Sequence, residues 1–264
     1  MNWALFFLFI LSSCSLFTKK GDWGKNALWP IEGSRIKNAL VKNATSPHVW
    51  APAGSALIIH WGGYDNKISN WAVKESPVYN NTKNADKWSD DLNDVLKYEM
   101  FLTPLLTASS DEGTAGEWLV RKGKGYVVVG ISSRVSDYAH DYLADQVARE
   151  RPNHADRRSF PSGHATQAGT RNTITRNNLA ATPMSRDLRT GINSANSVMA
   201  AGVLWARVEG QRHYPSDVLG GYAIGSFLSG VFYDSLINYE VDHPETFAVL
   251  PAKDKWTLMY TYAF

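Results

Sequence analysis

The sequence of 264 residues has a single cysteine, almost no net charge and no long hydrophobic run. One cysteine excludes an intrachain disulfide framework and a zinc site built from several thiolates. With 27 basic and 25 acidic residues the formal net charge is +2, which argues against a general nucleic-acid-binding protein. A mean hydropathy of -0.28 is too polar for a protein with many membrane spans. The hydrophobic fraction of 44% still supports a sizeable buried core.

The N-terminus resembles a bacterial lipoprotein signal. Residues 3–11 form an apolar run, which fits a signal peptide but is shorter than the about 20 residues that a membrane span needs. The run leads into the letters LSSC, which resemble the motif in which the cysteine is lipidated. We therefore expect a signal peptide over 1–13, lipidation of Cys14, a tether over 14–26 and a periplasm-facing protein of the bacterial cell envelope. Ser15 favours the outer membrane if the source is Gram-negative, and a cleaved soluble form is the alternative.

Residues 27–264 predict one domain of the all-α class, a single helical bundle. Apolar residues recur with helical spacing between turns rich in Pro, Gly and Asn. The most apolar stretch, 218–233, predicts a buried core helix rather than a membrane span, because it is short and rich in glycine. Two strand-like stretches around Pro251 predict a small C-terminal β-hairpin. The predicted helices are roughly 33–44, 53–61, 66–74, 86–107, 115–122, 125–150, 163–179, 186–210 and 215–238.

Several residues suggest an anion-binding site. Ser162 suits the N-cap of a helix, and Gly163 allows a ligand to approach the backbone closely. Free N–H groups at a helix start bind anions, phosphate above all. Arg151 and Arg207 add forked donors that match the oxygens of a tetrahedral anion.

Two histidines and an aspartate add groups that can move protons or attack. Asp217 follows His213 at the i, i+4 spacing that places both on one helical face. Asp217 could therefore accept a proton from one ring nitrogen of His213 and leave the other as a nucleophile or base. His164 follows Gly163 directly and is a second imidazole for the same site.

The order and spacing of these groups resemble the type 2 phosphatidic acid phosphatase and vanadium haloperoxidase superfamily over about 140–238. The letters RP at 151–152 match the end of its first motif, and PSGH at 161–164 matches its second completely. The segment 207–217 keeps the Arg, His and Asp spacing of its third motif. Residues 65–107 resemble, less specifically, the helical N-terminal part of bacterial members.

The resemblance implies a helical bundle with the site at helix ends and no metal or other cofactor, vanadate acting only as an inhibitor. His213 would attack phosphorus to give a phosphohistidine, Asp217 would orient His213, and His164 would protonate the leaving oxygen and then activate water. The implied phosphate-binding residues are Arg151, Ser162, Gly163 and Arg207.

The resulting expectation is a phosphoric ester hydrolase that acts on a phosphomonoester or pyrophosphate, with a lipid phosphate among the candidate substrates. The expected partners are this substrate and, through the lipid anchor, a membrane, but no nucleic acid. Alternatives are a vanadate-dependent haloperoxidase, a phosphate-binding lipoprotein without turnover, and a metal site that uses His154 and Asp156.

Two positions depart from the superfamily pattern. Ala144 stands where the pattern has a lysine that touches phosphate, and Ala206 stands where it has a serine. We expect the lost lysine to weaken the site unless another cation replaces it. Arg149 and Arg158 are the candidates closest in sequence, with Arg158 preferred because Arg149 should point elsewhere on a helix, and Lys122 and Lys124 are further candidates.

Overall fold

The computed structural model describes residues 22–108, 114–239, 245–252 and 255–262. Within these ranges the chain forms α-helices followed by a two-stranded antiparallel hairpin. The helices are α1 Gly33–Ala44, α2 Pro47–Trp61, α3 Asp65–Glu75, α4 Thr82–Leu106, α5 Ala115–Val147, α6 Gly163–Ala180, α7 Arg186–Glu209 and α8 Pro215–Ile237, and the strands are β1 Glu245–Ala252 and β2 Lys255–Tyr262. The fold is the predicted all-α bundle.

Helix α8 is the central element of the bundle. It contains the predicted core segment 218–233 and packs against α1, α2, α5 and α6. A Cβ on Gly225 would lie 2.0 Å from the carbonyl oxygen of Thr166, and one on Gly221 would lie 2.8 Å from that of Ser162. Glycine at these positions therefore lets α6 and α8 approach closely enough to bring the start of α6 beside the start of α8.

Helix α5 corrects one prediction, because 115–122 and 125–150 are a single continuous helix of 33 residues. Its start is fixed by a capping box between Thr114 and Glu117. The glycine that suggested a break has a packing function, since a Cβ on Gly125 would lie 2.0 Å from the Trp23 ring. Helix α5 ends at Val147, earlier than predicted, with Ala148 in the left-handed conformation.

A second correction concerns the start of α2, which lies at Pro47 instead of near residue 53. Pro47 lies in the first helical turn, where backbone N–H groups have no partner within the helix. A proline, which has no N–H, therefore loses no hydrogen bond there. In the described part of the chain, no helix is both long and apolar enough to qualify as a candidate membrane span. The predicted signal peptide and Cys14 lie outside the described residues.

Candidate active site

Three distant chain segments meet at one end of the bundle. The backbone N–H of Ser162, just before α6, donates to the carbonyl of Asp217 in the first turn of α8 at 3.2 Å. A guanidinium nitrogen of Arg151, after α5, lies 3.2 Å from Nε2 of His213. The N–H of His213 donates to the carbonyl of Arg207 at the end of α7, at 3.1 Å. The candidate residues of all three motifs are thus brought together by direct contacts.

The surroundings of His213 define which of its ring nitrogens carries a proton. Nδ1 lies 2.7 Å from the carbonyl oxygen of Ser159, and because a carbonyl only accepts, Nδ1 is the donor. Nε2 faces Arg151, which only donates, so Nε2 presents a lone pair. Burial, followed by the positive charges of Arg207 and Arg151, lowers the pKa of His213 well below its usual value. The ring is therefore neutral at neutral pH, with Nε2 available as a nucleophile.

Two buried polar groups of the candidate residues lack the partners that buried groups normally have. Ser162, the N-cap of α6, is fully buried, and its Oγ has no hydrogen-bond partner among the described residues. The Nε of Arg207 is also buried and has no hydrogen-bond partner among the described residues. Burial lowers the pKa of Arg207 to about 10, which leaves it charged at neutral pH. Together with the N–H groups of the first turn of α6, these groups form a site suited to a tetrahedral anion.

His164 is the second residue of α6, and its side chain is one-third exposed. Its Nε2 lies 2.8 Å from a carboxylate oxygen of Asp90 on α4. Burial and the charge of Arg207 lower the pKa of His164, while the Asp90 carboxylate opposes that shift. Arg207 and His164 both act electrostatically on His213, so the two imidazoles belong to one cluster. His164 is therefore open to solvent and held by a carboxylate, as a proton carrier should be.

The predicted hydrogen bond between Asp217 and the His213 ring is not formed. The carboxylate of Asp217 instead accepts from Arg149 at 2.6 Å and from the Ser159 hydroxyl at 2.5 Å. The i, i+4 argument fails because His213 precedes α8, which begins at Pro215. Asp217 acts on the ring through Ser159, whose hydroxyl donates to Asp217 while its carbonyl accepts from His213.

The sequence profile of the PAP2 superfamily matches residues 137–238, the part that carries all three motifs. This segment, residues 137–238, belongs to the PAP2 superfamily. The fold of the chain is similar to that of a solved structure, described as the first transmembrane PAP2 type phosphatidylglycerolphosphate phosphatase from Bacillus subtilis. That likeness has a TM-score of 0.51 at 18% identity, and covers 75% of this chain and 94% of the other. Among curated proteins, none matches the chain.

A buried carboxylate that the sequence did not reveal organises this PAP2 site. Asp65, the first residue of α3, accepts from Arg149 at 2.8 Å and from both the N–H and the hydroxyl of Ser216. Burial by itself would raise the pKa of Asp65, but the hydrogen bonds from Ser216 and Arg149 outweigh it and lower that pKa. Arg149 thus joins Asp65 to Asp217 and fixes the loop after α5 against the start of α8.

Two aspartates on α4 complete the set that sequence reasoning missed. Asp86 pairs with Arg207 at 3.3 Å and with Arg212 at 2.7 Å, and Asp90, one helical turn later, holds His164. The stretch that contains them had suggested only a likeness to the N-terminal part of bacterial members. The one available signal was their i, i+4 spacing, which predicts a shared helical face but names no partner.

None of the four cations proposed to replace the missing lysine lies free beside the phosphate-binding residues, and Arg149 is paired with Asp65 and Asp217. Ala144 is fully buried. Arg158 pairs with Asp141 at 3.1 Å and is 45% exposed. The Lys122 ammonium donates to Thr107, and Lys122 and Lys124 lie roughly 30 Å along α5 from Ala144.

The residues of the alternative metal site bind other partners. His154 lies 2.6 Å from Glu150, and Asp156 accepts from Arg151 at 2.7 Å. The part of the chain that the structure describes contains no group of three His, Cys, Asp or Glu arranged to hold a metal ion.

Proposed function

We propose that this PAP2 protein is a phosphatase that hydrolyses phosphomonoesters or pyrophosphates through a phosphohistidine on His213. The observation that supports the proposal most directly is the state of the His213 ring. Its Nδ1 is bonded to the Ser159 carbonyl, and the lone pair of Nε2 faces the guanidinium of Arg151. A neutral, oriented imidazole among positive groups suits attack on a phosphoryl group, because the anionic substrate is drawn to the nucleophile.

The substrate phosphate would be held by groups that have spare donors. Arg151 and Arg207 bring two positive charges, the Ser162 hydroxyl is unpartnered in the described chain, and the N–H groups of Gly163 and His164 begin α6. Such a preorganised set of donors stabilises the charge on the equatorial oxygens in the transition state.

The reaction would take place in two displacement steps. In the first, Nε2 of His213 forms a bond to phosphorus as the bond to the leaving oxygen breaks, and His164 gives that oxygen a proton. In the second, His164 takes a proton from water, the water oxygen attacks phosphorus and the P–N bond breaks. Inorganic phosphate leaves, and both histidines return to their starting state.

The direct test is a phosphate-release screen with purified protein over lipid phosphates, prenyl pyrophosphates and soluble phosphomonoesters. Lipid phosphates come first, because the structural neighbour is described as a phosphatidylglycerolphosphate phosphatase. The matched negative control is His213→Ala. We expect release from at least one class and none from the variant, together with inhibition by vanadate, which mimics the five-coordinate transition state.

Two outcomes would contradict the proposal. Binding of phosphate without hydrolysis of any class would identify a phosphate-binding protein without turnover. Bromide oxidation by peroxide with the vanadate-loaded protein, and no phosphatase activity, would identify a haloperoxidase.

For the N-terminus we propose that Cys14 carries a lipid anchor that holds the protein at the cell envelope. The support is the LSSC sequence after the apolar run over 3–11. The several acyl chains of a lipoprotein hold a protein firmly, whereas one chain binds marginally. Cys14→Ala should release the protein from membranes or block its processing, as measured by membrane fractionation and by metabolic labelling with a fatty acid. A variant that remains in the membrane fraction with normal processing would refute the anchor.

A further inference from the structure

The imidazole of His140 faces the start of the helix that carries the phosphate-binding residues. A Cβ on Gly163 would lie 2.9 Å from Nε2 of His140 and 3.1 and 3.5 Å from the two carbons beside it. The nitrogen, and not the face of the ring, therefore points at the first residue of α6. Next to Gly163 stands Ser162, whose buried hydroxyl lacks a partner in the described chain.

His140 also lies on the helical face that points towards this site. It precedes Ala144 by four residues on α5, and residues at that spacing share a face one turn apart. Ala144 is buried against the bundle, whereas the His140 side chain keeps 21% of its surface exposed. His140, one turn before Ala144, thus brings a ring nitrogen to the start of α6.

The other ring nitrogen of His140 lies near a carboxylate. Nδ1 is 3.2 Å from an oxygen of Asp141, and that oxygen accepts a hydrogen bond from Arg158 at 3.1 Å. Asp137, one turn earlier on α5, interacts electrostatically with His140 and with Arg171 of α6. In its doubly protonated form the His140 ring donates from Nε2 to an anion as a charge-assisted hydrogen bond.

We propose that His140 binds the substrate phosphate through Nε2, and so supplies the cation that Ala144 cannot; this rests on the proposed phosphatase function of the same site. Arg158 then acts indirectly, because it pairs with Asp141, whose carboxylate lies beside the His140 ring. The ligand class is a phosphate monoester or pyrophosphate group, together with the inorganic phosphate product.

The test compares wild type with His140→Ala, His140→Gln, His140→Lys and the double variant His140→Ala/Ala144→Lys. The probe is inorganic phosphate, whose Kd is measured by calorimetry and whose inhibition constant is measured in the phosphatase assay. A charge-assisted hydrogen bond of the usual strength predicts that the Kd rises about 10- to 100-fold in the Ala and Gln variants. His140→Lys, or the lysine at 144, should recover most of that loss. His154→Ala is the matched control, because His154 is 77% exposed and pairs with Glu150.

The outcomes separate this inference from the proposed function. Folded His140→Ala and His140→Gln variants that bind phosphate as wild type does would overturn it. If His140→Ala fails to fold, His140→Gln and His140→Lys decide: weak binding by Gln with recovery by Lys supports the inference, and equal binding by both refutes it. A wild type that binds phosphate but hydrolyses nothing contradicts the phosphatase, while the calorimetry still decides the role of His140.

Discussion

Asn178 and Ser162, at the two ends of α6, differ in whether their buried polar groups have partners. At its C-terminal end Asn178 is fully buried, donates to Thr103 and accepts from Tyr233, whose hydroxyl in turn accepts from Trp23. At its N-terminal end the hydroxyl of Ser162 is equally buried but has no partner in the described chain.

This difference suggests that Asn178 contributes mainly to stability, whereas Ser162 contributes mainly to the proposed binding of an anion. A buried polar group without a partner costs roughly 1–3 kcal/mol. The polar network around Asn178 avoids that cost, whereas the N-terminal end bears it and keeps its donors ready for an anion. Substitutions at the first end should therefore change stability, and substitutions at the second should change activity.

The largest effect should follow from His213→Ala, which removes the proposed nucleophile near the N-terminal end of α6. Turnover should fall by more than about a thousandfold in steady-state assays, since the proposed covalent intermediate forms on this ring. Thermal unfolding serves as the folding control, with His213→Gln as a variant of closer shape. Appreciable turnover by either folded variant would rule out His213 as the nucleophile.

Asp217→Asn tests whether Asp217, in the first turn of α8 beside the start of α6, contributes to stability. The change leaves the buried charge of Arg149 short of one partner and weakens the bond from Ser159, so the free energy of unfolding should fall by about 3 kcal/mol. Turnover should fall with it, because Ser159 sets the His213 ring. Denaturant unfolding and kinetics on the same sample are the measurements. Lost turnover at unchanged stability would instead indicate direct action on the ring.

Tyr233→Phe tests the stable end of α6. The change removes a buried hydroxyl that joins Trp23 to Asn178, so the free energy of unfolding should decrease by about 1–3 kcal/mol. The ratio kcat/KM should not change, because Tyr233 belongs to the network at the opposite end of α6. Reduced kcat/KM in the folded variant would show that the two ends are coupled.

For Ser162→Ala, at the N-terminal end of α6, we expect the opposite result: unchanged stability and weaker binding of phosphate. The hydroxyl has no protein partner to lose among the described residues, so the melting temperature should stay the same or rise slightly. Binding of inorganic phosphate should weaken about tenfold, the loss of one hydrogen bond to a charged group. A lower melting temperature with unchanged phosphate affinity would contradict the contrast between the two ends.

The smallest effect concerns Glu99 on α4, which lies at neither end of α6. Burial raises the pKa of Glu99 to about 7, and its Oε2 has no partner in the described chain. The folded protein therefore binds this proton more tightly than the unfolded chain, and stability is lost as pH rises from about 4.5 to about 7. Glu99→Gln should raise the melting temperature at pH 8 but not at pH 4.5. An equal shift at both pH values would exclude titration as the cause.

Local sequence was enough to predict the start of α6 and the helical bundle. Ser162 and the residues that follow it predict a helix start, because serine is a favoured N-cap residue. The glycines of α8 predict close packing, because they carry no side chain. Local pattern failed for Asp217, because a spacing that holds inside a helix was applied to His213, which lies before the helix begins.

The carboxylates that hold the site could not be found in this way. Asp65 and Asp90 contact partners far along the chain, Arg149 and His164, and only the packing of the helices brings them together. An aspartate on an exposed helical face and one that holds an active-site residue look alike in a single sequence. Their assignment needs the tertiary structure.

The position of Asp65, Asp86 and Asp90 has a practical consequence for expression. All three precede residues 137–238, the segment that the PAP2 profile matches. A fragment limited to that segment would contain Arg149, Arg207 and His164 but would lack Asp65, Asp86 and Asp90, so that Arg149 would keep only its pairing with Asp217. The buried charge of Arg207 would lose its carboxylate partner, which would oppose folding. A fragment that keeps all of these pairings therefore has to begin before α3, well upstream of the recognisable motifs.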